Sequence, residues 1–385
     1  MHIDGDAFFV ACEVSLQPQY RGKPVVTGAE RSIITALSYE AKALGLTRTM
    51  PVYQVRKNFP QVTVLSSNYD AYVIFSKRMF AIVRRHTDLV EEYSIDECFA
   101  DLSSALDPEA TARIIQETIS KELGITVSVG LARTKVLAKI ASKQNKPKGF
   151  TSFIKNIEIG SISVGKVWGI GRSASAQLVG LGVFTIKDFL SKDYTWITQH
   201  LSKPYQAIWY ELQGISVLNI EVQSDPQKSI AHTRSFMFST ADKKVIWSEL
   251  VKNIEAVCGK ARKAGFDACD AHIFIKTKEF QYSSTHITFD VPVSDPISII
   301  KAVSDRFDGI FIKGIQYRAT GITLQNLVPR NSTTSLFGVQ GNSELFDTID
   351  HISHKYGEGI IKVASSSKSD LDKRPFSILS LGTVS

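Results

Sequence analysis

The sequence predicts a multidomain α+β protein, and three observations lead to this fold class. The chain has 385 residues, more than a single hydrophobic core usually serves. Its hydrophobic fraction of 43% and charged fraction of 22% are typical of globular proteins. Strand-like and helix-like patterns alternate over residues 1–150 and again over 228–330, whereas 151–227 carry short helical patterns. We therefore expect several domains, each with its own core.

The elements of residues 1–150 follow from hydrophobic periodicity. The predicted strands are PVVTG, SIITALS, VTVLSS and TVSVGLA, and HIDGDAFF begins as a strand. The predicted helices are YEAKALG, the long amphipathic SNYDAYVIFSKRMFAIVRRH, a helix over 108–123 and a helix from Thr134. An acidic hairpin, EEYSIDECFADL, lies between the two long helices. These elements predict mixed α/β packing with the hairpin near its centre.

The rest of the chain divides into three segments. Residues 151–227 read as short helices around VWGIGRSASAQLVGLGVFTIKDFL, and the polar EVQSDPQKS predicts a linker. Residues 228–330 show a β-α-β-β-α-β order, the ferredoxin-like split pattern. The tail, 331–385, has one predicted helix near SELFDTIDHISHKYG, and its Ser- and Lys-rich end predicts disorder.

Composition also excludes some classes of protein. No apolar run approaches the roughly 20 residues that span a bilayer, and MHIDGDAFF has no signal-peptide architecture. We expect a cytoplasmic protein without a membrane partner. The cysteines form no CxxC pair, which argues against a disulfide framework or a structural zinc site and predicts small buried residues. They are Cys12, Cys98, Cys258 and Cys269.

The net charge of +7 is unevenly distributed. Residues 1–150 have 19 Lys and Arg against 16 Asp and Glu, and residues 228–330 have 15 against 10. In residues 151–227 the counts are 6 and 6, and in the tail they are 5 and 6. A basic protein with a locally acidic site suggests a polyanionic partner held near bound cations.

Two acidic clusters fall in residues 1–150. Asp4 and Asp6 lie two apart on a predicted strand, which places them on one face. Asp96 and Glu97 are adjacent and converge only if the chain turns there. Clustered carboxylates raise one another's pKa, and two Mg²⁺ ions about 3.5–4 Å apart would relieve the repulsion and suit phosphoryl displacement. The alternative is a set of surface carboxylates at turn ends.

A basic stripe and a glycine pair suggest contacts with phosphates. Lys135, Lys139 and Lys143 follow one another at i, i+4 spacing in a stretch without acids. The alternative for this stripe is a solvated helix face. Gly169 and Gly171 are paired with Gly180 and Gly182 across a helical pattern that resembles a helix-hairpin-helix element, which binds DNA backbone. A simple helical turn is the competing interpretation.

Together these motifs resemble one family, the Y-family translesion DNA polymerases of the bacterial polymerase IV and polymerase V kind. The resemblance covers residues 1–328 and is carried by HIDGDAFFVACE, GKPVVTG, SYEAKALGLTRTMP, EYSIDECFADL, TVSVGLARTKVLAKIASKQNKPKG and VWGIG. It implies a right-hand-like architecture with a ferredoxin-like palm and small fingers in 1–150. A helical thumb with the helix-hairpin-helix follows in 151–227, and a ferredoxin-like split β-α-β little finger in 228–330.

The resemblance also implies an activity and its site. It implies template-directed, low-fidelity synthesis on primer-template DNA from deoxynucleoside triphosphates, by a monomer with two Mg²⁺ ions. Asp4, Asp96 and Glu97 match the metal-binding carboxylates, with the Gly5 carbonyl as a further ligand and Glu97 near the primer 3′-OH. Asp6 matches a position that is commonly acidic. Only three residues precede Asp4, fewer than the family normally has, which predicts a short first strand.

Nucleotide contacts are implied in the same way. Thr35, Tyr39, Lys42 and Lys146 match triphosphate contacts, although Lys42 stands where the family usually has Arg and offers a point charge in place of a bidentate fork. Phe8 and Phe9 are also placed at the nucleotide. Strand alternation predicts that one of the two rings packs inward while the other meets the nucleotide. The resemblance assigns Phe9 to the sugar, where its ring would exclude a 2′-hydroxyl.

The tail adds one more predicted partner. TTSLFG resembles a bacterial sliding-clamp peptide in Ser335, Leu336 and Phe337, with Thr333 and Thr334 replacing the usual Gln and apolar residue. Two rival functions share some of these features. A degenerate polymerase would bind DNA without extending it, but the complete set of Asp4, Asp96 and Glu97 argues against that. A nucleotide cyclase would have no use for the VWGIG hairpin.

Overall fold

The computed structural model describes residues 1–222, 227–330, 343–357, 360–361 and 363–364. The chain forms two compact units, Met1–Ser224 and Asp225–Ser385. None of the described helices is long and apolar enough to cross a membrane. All four cysteines are free thiols; three are buried as predicted, and Cys269 is half-buried.

The first unit contains eight strands and ten α-helices within its described residues. The strands are β1 (His2–Gly5), β2 (Val25–Thr27), β3 (Ala36–Leu37), β4 (Thr63–Leu65), β5 (Val90–Glu92), β6 (Glu97–Ala100), β7 (Val127–Leu131) and β8 (Phe150–Ser152). The helices are α1 (Phe8–Leu16), α2 (Tyr39–Ala43), α3 (Val52–Asn58), α4 (Tyr69–Arg84), α5 (Pro108–Leu123), α6 (Lys135–Gln144), α7 (Arg172–Gly180), α8 (Ile186–Leu190), α9 (Tyr194–His200) and α10 (Lys203–Leu212).

A five-stranded sheet forms the centre of this unit, in the order β5-β6-β1-β7-β8. β1 runs antiparallel to both β6 and β7, and α4 and α5 contribute to the core against the sheet. The four strands β1, β5, β6 and β7 follow the β-α-β-β-α-β order of a ferredoxin-like fold, and the first and third of them, β1 and β6, are central among the four. This is the predicted ferredoxin-like palm, and its first strand has four residues.

Two smaller parts complete the first unit. β2, β3 and β4 form a three-stranded sheet with β2 central, and α2 and α3 complete its core. The predicted strand SIITALS is shorter than expected, since only Ala36 and Leu37 pair as a strand. Helices α7 to α10 surround a separate core, to which α6 contributes Leu137 and Ile140. Helix α6 thus packs both on the palm sheet and on the helical part. The boundary between these two parts at residue 150 stays a prediction.

The second unit has the predicted element order. It consists of β9 (Ser229–Thr240), α11 (Lys243–Lys263), β10 (Phe266–Thr277), β11 (Tyr282–Val293), α12 (Pro296–Ile310), β12 (Tyr317–Pro329) and α13 (Ser343–Tyr356). The sheet order is β11-β10-β12-β9. Helix α11 connects the parallel strands β9 and β10, and the antiparallel strand β12 lies between them. Helix α12 connects β11 and β12 in the same way, with β10 between them, which confirms the split pattern. Here the second and fourth strands of the unit are central, unlike in the palm.

The tail helix docks on the second unit. The Arg262 guanidinium binds both carboxylate oxygens of Asp350 on α13 at 2.6 and 2.7 Å, and Phe346 is 4% exposed. The predicted tail helix is therefore present. The middle of the predicted linker and the end of the chain lie outside the described residues.

Candidate active site

A cavity of about 590 Å³ lies between the palm sheet and the small sheet β3-β2-β4. Its palm side is lined by Asp4, Gly5, Ala7, Ser94, Asp96, Glu97 and Lys146. Its other side is lined by Leu37, Ser38, Tyr39, Lys42, Leu46, Thr47 and Arg48. The cavity therefore brings both predicted acidic clusters together with three of the predicted triphosphate contacts.

The register of the sheet explains why the carboxylates meet. Asp4 on β1 is paired directly with Glu97, the first residue of β6. Asp96 lies in the hairpin turn before β6, and its carbonyl accepts a hydrogen bond from the Gly5 amide at 2.9 Å. The expectation that Asp96 and Glu97 converge only at a turn agrees with this geometry.

Lysines contact two of these carboxylates. Lys146 Nζ lies 2.5 Å from Asp4 Oδ1, and Lys139 Nζ lies 2.7 Å from Glu97 Oε2. Ser94 donates a hydrogen bond to Asp96 at 2.8 Å. Burial raises the pKa of Asp4 to about 6, with Glu97 and Asp96 adding to the rise and Lys146 opposing it. A cation close to Asp4, such as Lys146, therefore favours the ionised form of this carboxyl group.

Asp6 is held differently from the other acids. It is 2% exposed, and it accepts hydrogen bonds from Ser128 Oγ at 2.8 Å and from the Lys148 amide at 2.7 Å. Tyr39 donates to Asp6 at a long 3.5 Å. Burial, followed by the charges of Asp6 and Asp4, raises the pKa of Tyr39 to about 12. Asp6 therefore links parts of the palm through Ser128 and the Lys148 amide, and it also contacts the Tyr39 hydroxyl. Tyr39 is uncharged and can donate a hydrogen bond in the cavity.

The donors of the cavity fit a hard divalent cation, because carboxylate and carbonyl oxygens are the ligands that Mg²⁺ prefers. Among the described residues, however, no group of three or more acidic, His or Cys side chains already forms a metal centre. Lys146 and Lys139 hold oxygens of Asp4 and Glu97 that a cation would use. A bound cation would therefore have to share or replace these lysine contacts.

The other nucleotide predictions have mixed outcomes. Thr35 does not line the cavity, since its hydroxyl bonds Thr27 at 3.0 Å and Ser67 at 3.3 Å. Sequence reasoning missed Ser38, Thr47, Arg48 and Ser94. Arg48 could have been identified from the sequence, because it belongs to the same motif as Lys42, SYEAKALGLTRTMP.

The strand argument for Phe8 and Phe9 is wrong, since both lie in α1. The chain leaves β1 through Ala7, whose φ of 47° starts a helix instead of extending the strand. Phe8 is 3% exposed within the palm core, so the prediction that it contacts nucleotide is also wrong. Phe9 is half-buried, with its ring stacked 4.5 Å from Tyr72 and 5.4 Å from Tyr69.

The predicted basic stripe is wrong for two of its three lysines. Lys135 and Lys139 are 9% and 4% exposed. Lys135 Nζ lies 2.6 Å from Glu91 Oε2, and Lys139 contacts Glu97. Neither lysine can reach a DNA phosphate in this arrangement, because α6 packs on the sheet with this face. Lys143 is exposed and remains a candidate phosphate contact.

The glycine turn has the local geometry that its sequence suggested. Gly169 has φ +90°, and a Cβ there would lie 2.6 Å from Ile208 Cδ1. Gly171 is the N-cap of α7 and has open space around it. α7 and α8 follow in sequence, with Gly182 at φ +78° between them. The predicted clamp residues Ser335, Leu336 and Phe337 lie outside the described residues.

Fold and site together define a class of protein: a polymerase with a carboxylate-bearing palm sheet, a small second sheet across the cavity, and a helical part. The chain belongs to the impB/mucB/samB family, whose model matches residues 3–143 and whose C-terminal domain model matches 227–336. It is a member of the Y family of DNA polymerases, which confirms the resemblance that the sequence motifs carried.

Relatives and solved structures agree with this assignment. The chain is 28% identical to DNA polymerase IV 1 of Bacillus subtilis, over 97% of this chain and 94% of that protein. It is 28% identical to DNA polymerase IV of Ureaplasma parvum serovar 3, over 86% and 95% of the two chains. The Y-family DNA polymerase chimera Dbh-Dpo4(243-245)-Dbh matches with TM-score 0.73, 24% identity and coverage of 86% and 99%. DinB from Sulfolobus solfataricus matches with TM-score 0.53 and 25% identity, over 86% and 99%.

Proposed function

We propose that this chain is a template-directed, low-fidelity DNA polymerase that adds deoxynucleotides to a primer 3′-OH during translesion synthesis. One observation carries the proposal. In a chain of this family, a single cavity joins three carboxylates, Asp4, Asp96 and Glu97, to cationic and hydroxyl groups on the opposite wall. Acids on one wall suit metal ions, and cations on the other suit a triphosphate.

Asp4, Asp96, Glu97 and the Gly5 carbonyl would hold two Mg²⁺ ions. Bound there, the ions would supply charge stabilisation to both the attacking and the leaving oxygen of nucleotidyl transfer. The protein groups then have separate tasks. Lys146, once released from Asp4, neutralises triphosphate charge together with Lys42, and Tyr39 donates a hydrogen bond because its raised pKa keeps it protonated. Phe9 lies against the sugar.

DNA binding would come mainly from other surfaces. Within the second unit, residues 228–330 carry a positive excess, with 15 Lys and Arg against 10 Asp and Glu. The glycine turn before α7 and the exposed Lys143 would add backbone contacts in the first unit. Such contacts give affinity that is independent of sequence and sensitive to salt.

Primer extension with Mg²⁺ on undamaged and abasic templates tests this function. Asp96→Asn and Glu97→Gln should abolish extension and leave primer-template affinity nearly unchanged, because phosphate contacts elsewhere supply that affinity. Glu92→Gln is the matched control, since Glu92 lies in the same hairpin but is 46% exposed and pairs with Arg84. Full activity in either cavity variant would contradict the metal assignment. A wild-type protein that binds DNA without extending it would be a degenerate polymerase.

A contact with a bacterial sliding clamp is a further part of the proposal, and it rests on Ser335, Leu336 and Phe337 in the sequence alone. Replacing Leu336 and Phe337 with Ala should leave unassisted synthesis intact and remove stimulation by the clamp, measured as product length on a long template. A parent protein that the clamp never stimulates would refute it. The monomeric state and the cytoplasmic location also remain predictions.

A further inference from the structure

Lys139 occupies an unusual position for a lysine, since its side chain is 5% exposed beside the candidate active site. Its ammonium group lies 2.7 Å from Glu97 Oε2. Aromatic rings surround the same group: Tyr93 at 4.1 Å, Trp168 at 5.3 Å and Phe99 at 5.9 Å from the ring centroids. A cation held by a carboxylate and by ring faces has little freedom to move.

We propose that Lys139 is a positioning residue for Glu97 and that Trp168 holds Lys139 in place. Lys139 is the one donor to the Glu97 carboxylate among the residues the structure describes, and it binds a single oxygen, Oε2. Fixing one oxygen restricts the orientation of the carboxylate and leaves Oε1 for the cavity. A group that is held before substrate arrives does not have to be ordered during the reaction.

The contact with Trp168 links this pair to the glycine turn. Trp168 belongs to VWGIG and precedes Gly169 directly. Its indole Nε1 donates to Tyr93 Oη at 2.9 Å, and its ring lies 5.3 Å from Phe99 on β6. If the turn holds DNA backbone as proposed above, DNA binding and the orientation of Glu97 share this aromatic contact. The inference therefore rests on the proposed polymerase function.

Lys135 provides a matched comparison one helical turn earlier. It is also buried, at 9% exposed against 4% for Lys139, and its ammonium lies 4.9 Å from the ring centroid of Phe99 and 5.8 Å from that of Trp168. Its carboxylate partner is Glu91, which does not line the cavity and also accepts a hydrogen bond from the Glu221 amide. Lys135 thus makes the same kind of contacts as Lys139 without touching a cavity carboxylate.

The test compares Lys139→Met with Lys135→Met in the full-length protein. Each variant loses one buried ion pair, so the two melting temperatures should fall alike. We expect kcat at saturating DNA and nucleotide to fall by about tenfold to a hundredfold in Lys139→Met, because a misplaced reacting group costs rates of that order. In Lys135→Met kcat should stay close to that of the parent protein, because the partner of Lys135, Glu91, does not line the cavity. Primer-template Kd should stay the same in both.

A second measurement separates positioning from general loss of structure. Mn²⁺ titrated alone into the DNA-free protein should bind at least about threefold more tightly in Lys139→Met, because a competing positive charge beside Glu97 is gone. Disruption of the site would weaken Mn²⁺ binding and kcat together. Tighter metal binding with slower catalysis is therefore the signature of the proposed role.

A smaller change to the aromatic contact gives an independent test if the Met variants do not fold. Trp168→Phe keeps a ring and removes the hydrogen bond to Tyr93, whereas Trp209→Phe, the control, removes a buried indole N–H that has no hydrogen-bond partner. We expect kcat to fall in Trp168→Phe only. Equal kcat losses in the two Met variants, or in the two Phe variants, would overturn the inference, as would weaker Mn²⁺ binding in Lys139→Met. Inactivity of the wild type would instead refute the proposed function.

Discussion

Phe9, the proposed contact with the nucleotide sugar, is supported by neighbouring aromatic rings. Its ring stacks on Tyr72 at an interplanar angle of 13° and meets the edge of Tyr69. Tyr72 is itself fixed, since its hydroxyl donates to the buried Glu13 at 2.6 Å. A ring supported in this way resists displacement, which is what discrimination by steric overlap requires.

Phe9→Ala should raise ribonucleotide incorporation strongly relative to deoxyribonucleotide incorporation. Because Phe9 is half-buried, we expect it to cost about half of the roughly 3–5 kcal/mol typical of a buried Phe→Ala change. The ratio of kcat/KM for the two nucleotides, together with a thermal melt, checks both expectations. Phe8→Ala is the control: its ring is buried in the core, so stability should fall further while sugar selectivity stays the same. Unchanged selectivity in Phe9→Ala would show that its ring is structural.

At the scale of elements, the site depends on how closely α6 approaches the palm sheet. β7 carries Gly130 where α6 crosses it, and a Cβ there would lie 2.0 Å from the Ala138 carbonyl and 2.4 Å from the Ser142 amide. The same helix supplies Lys135 and Lys139 to the acidic hairpin. Moving α6 outward would therefore pull both lysines away from Glu91 and Glu97.

Gly130→Ala should destabilise the first unit by about 1–3 kcal/mol or more, because backbone atoms would have to move to admit the methyl group. It should also lower kcat, since the contact between Lys139 and Glu97 would lengthen. Gly180→Ala is the matched control in α7, where open space and a normal helical φ predict a stability gain of up to about 1 kcal/mol. Urea unfolding measures the change in the free energy of unfolding for both variants, and primer extension measures kcat. A neutral Gly130→Ala would mean that α6 is not tightly seated.

At the scale of the whole molecule, acidic and basic residues are unevenly distributed between the segments of the chain. Residues 1–150 hold 16 of the 38 acids in the chain, more than any other segment, and these include the cavity carboxylates. Residues 228–330 hold the larger positive excess on a separate compact unit. If the proposed roles of the two units hold, we expect that chemistry and DNA affinity can be altered separately.

Removing residues 229–385 should weaken primer-template binding and flatten its dependence on salt, because fewer counterions are released per complex. The slope of log Kd against log salt, from fluorescence anisotropy, is the measurement. Circular dichroism of the shortened chain is the control, and it should show a cooperative melt because unit Met1–Ser224 has its own cores. An unchanged slope would show that the charge of the second unit lies away from DNA.

The sequence by itself determined the order of elements, the fold class and the residues of the acidic site. Periodicity records which face of a segment is buried, so α5 over 108–123 and the β-α-β-β-α-β order of the second unit could be predicted. The hairpin motif likewise placed Asp96 and Glu97 at a turn. These features are local, and local spacing is enough to specify them.

Only the tertiary structure decided which groups meet across the chain. Lys139 and Glu97 are 42 residues apart, so i, i+4 spacing could not reveal that this lysine is buried against an acid instead of facing solvent. Phe8 and Phe9 begin a helix because Ala7 turns the chain at the end of a strand whose length is set by its pairing with β6 and β7. The palm sheet and the sheet of the second unit have the same element order but different central strands. The order of strands in a sheet depends on packing between distant segments, and periodicity along one segment does not record that packing.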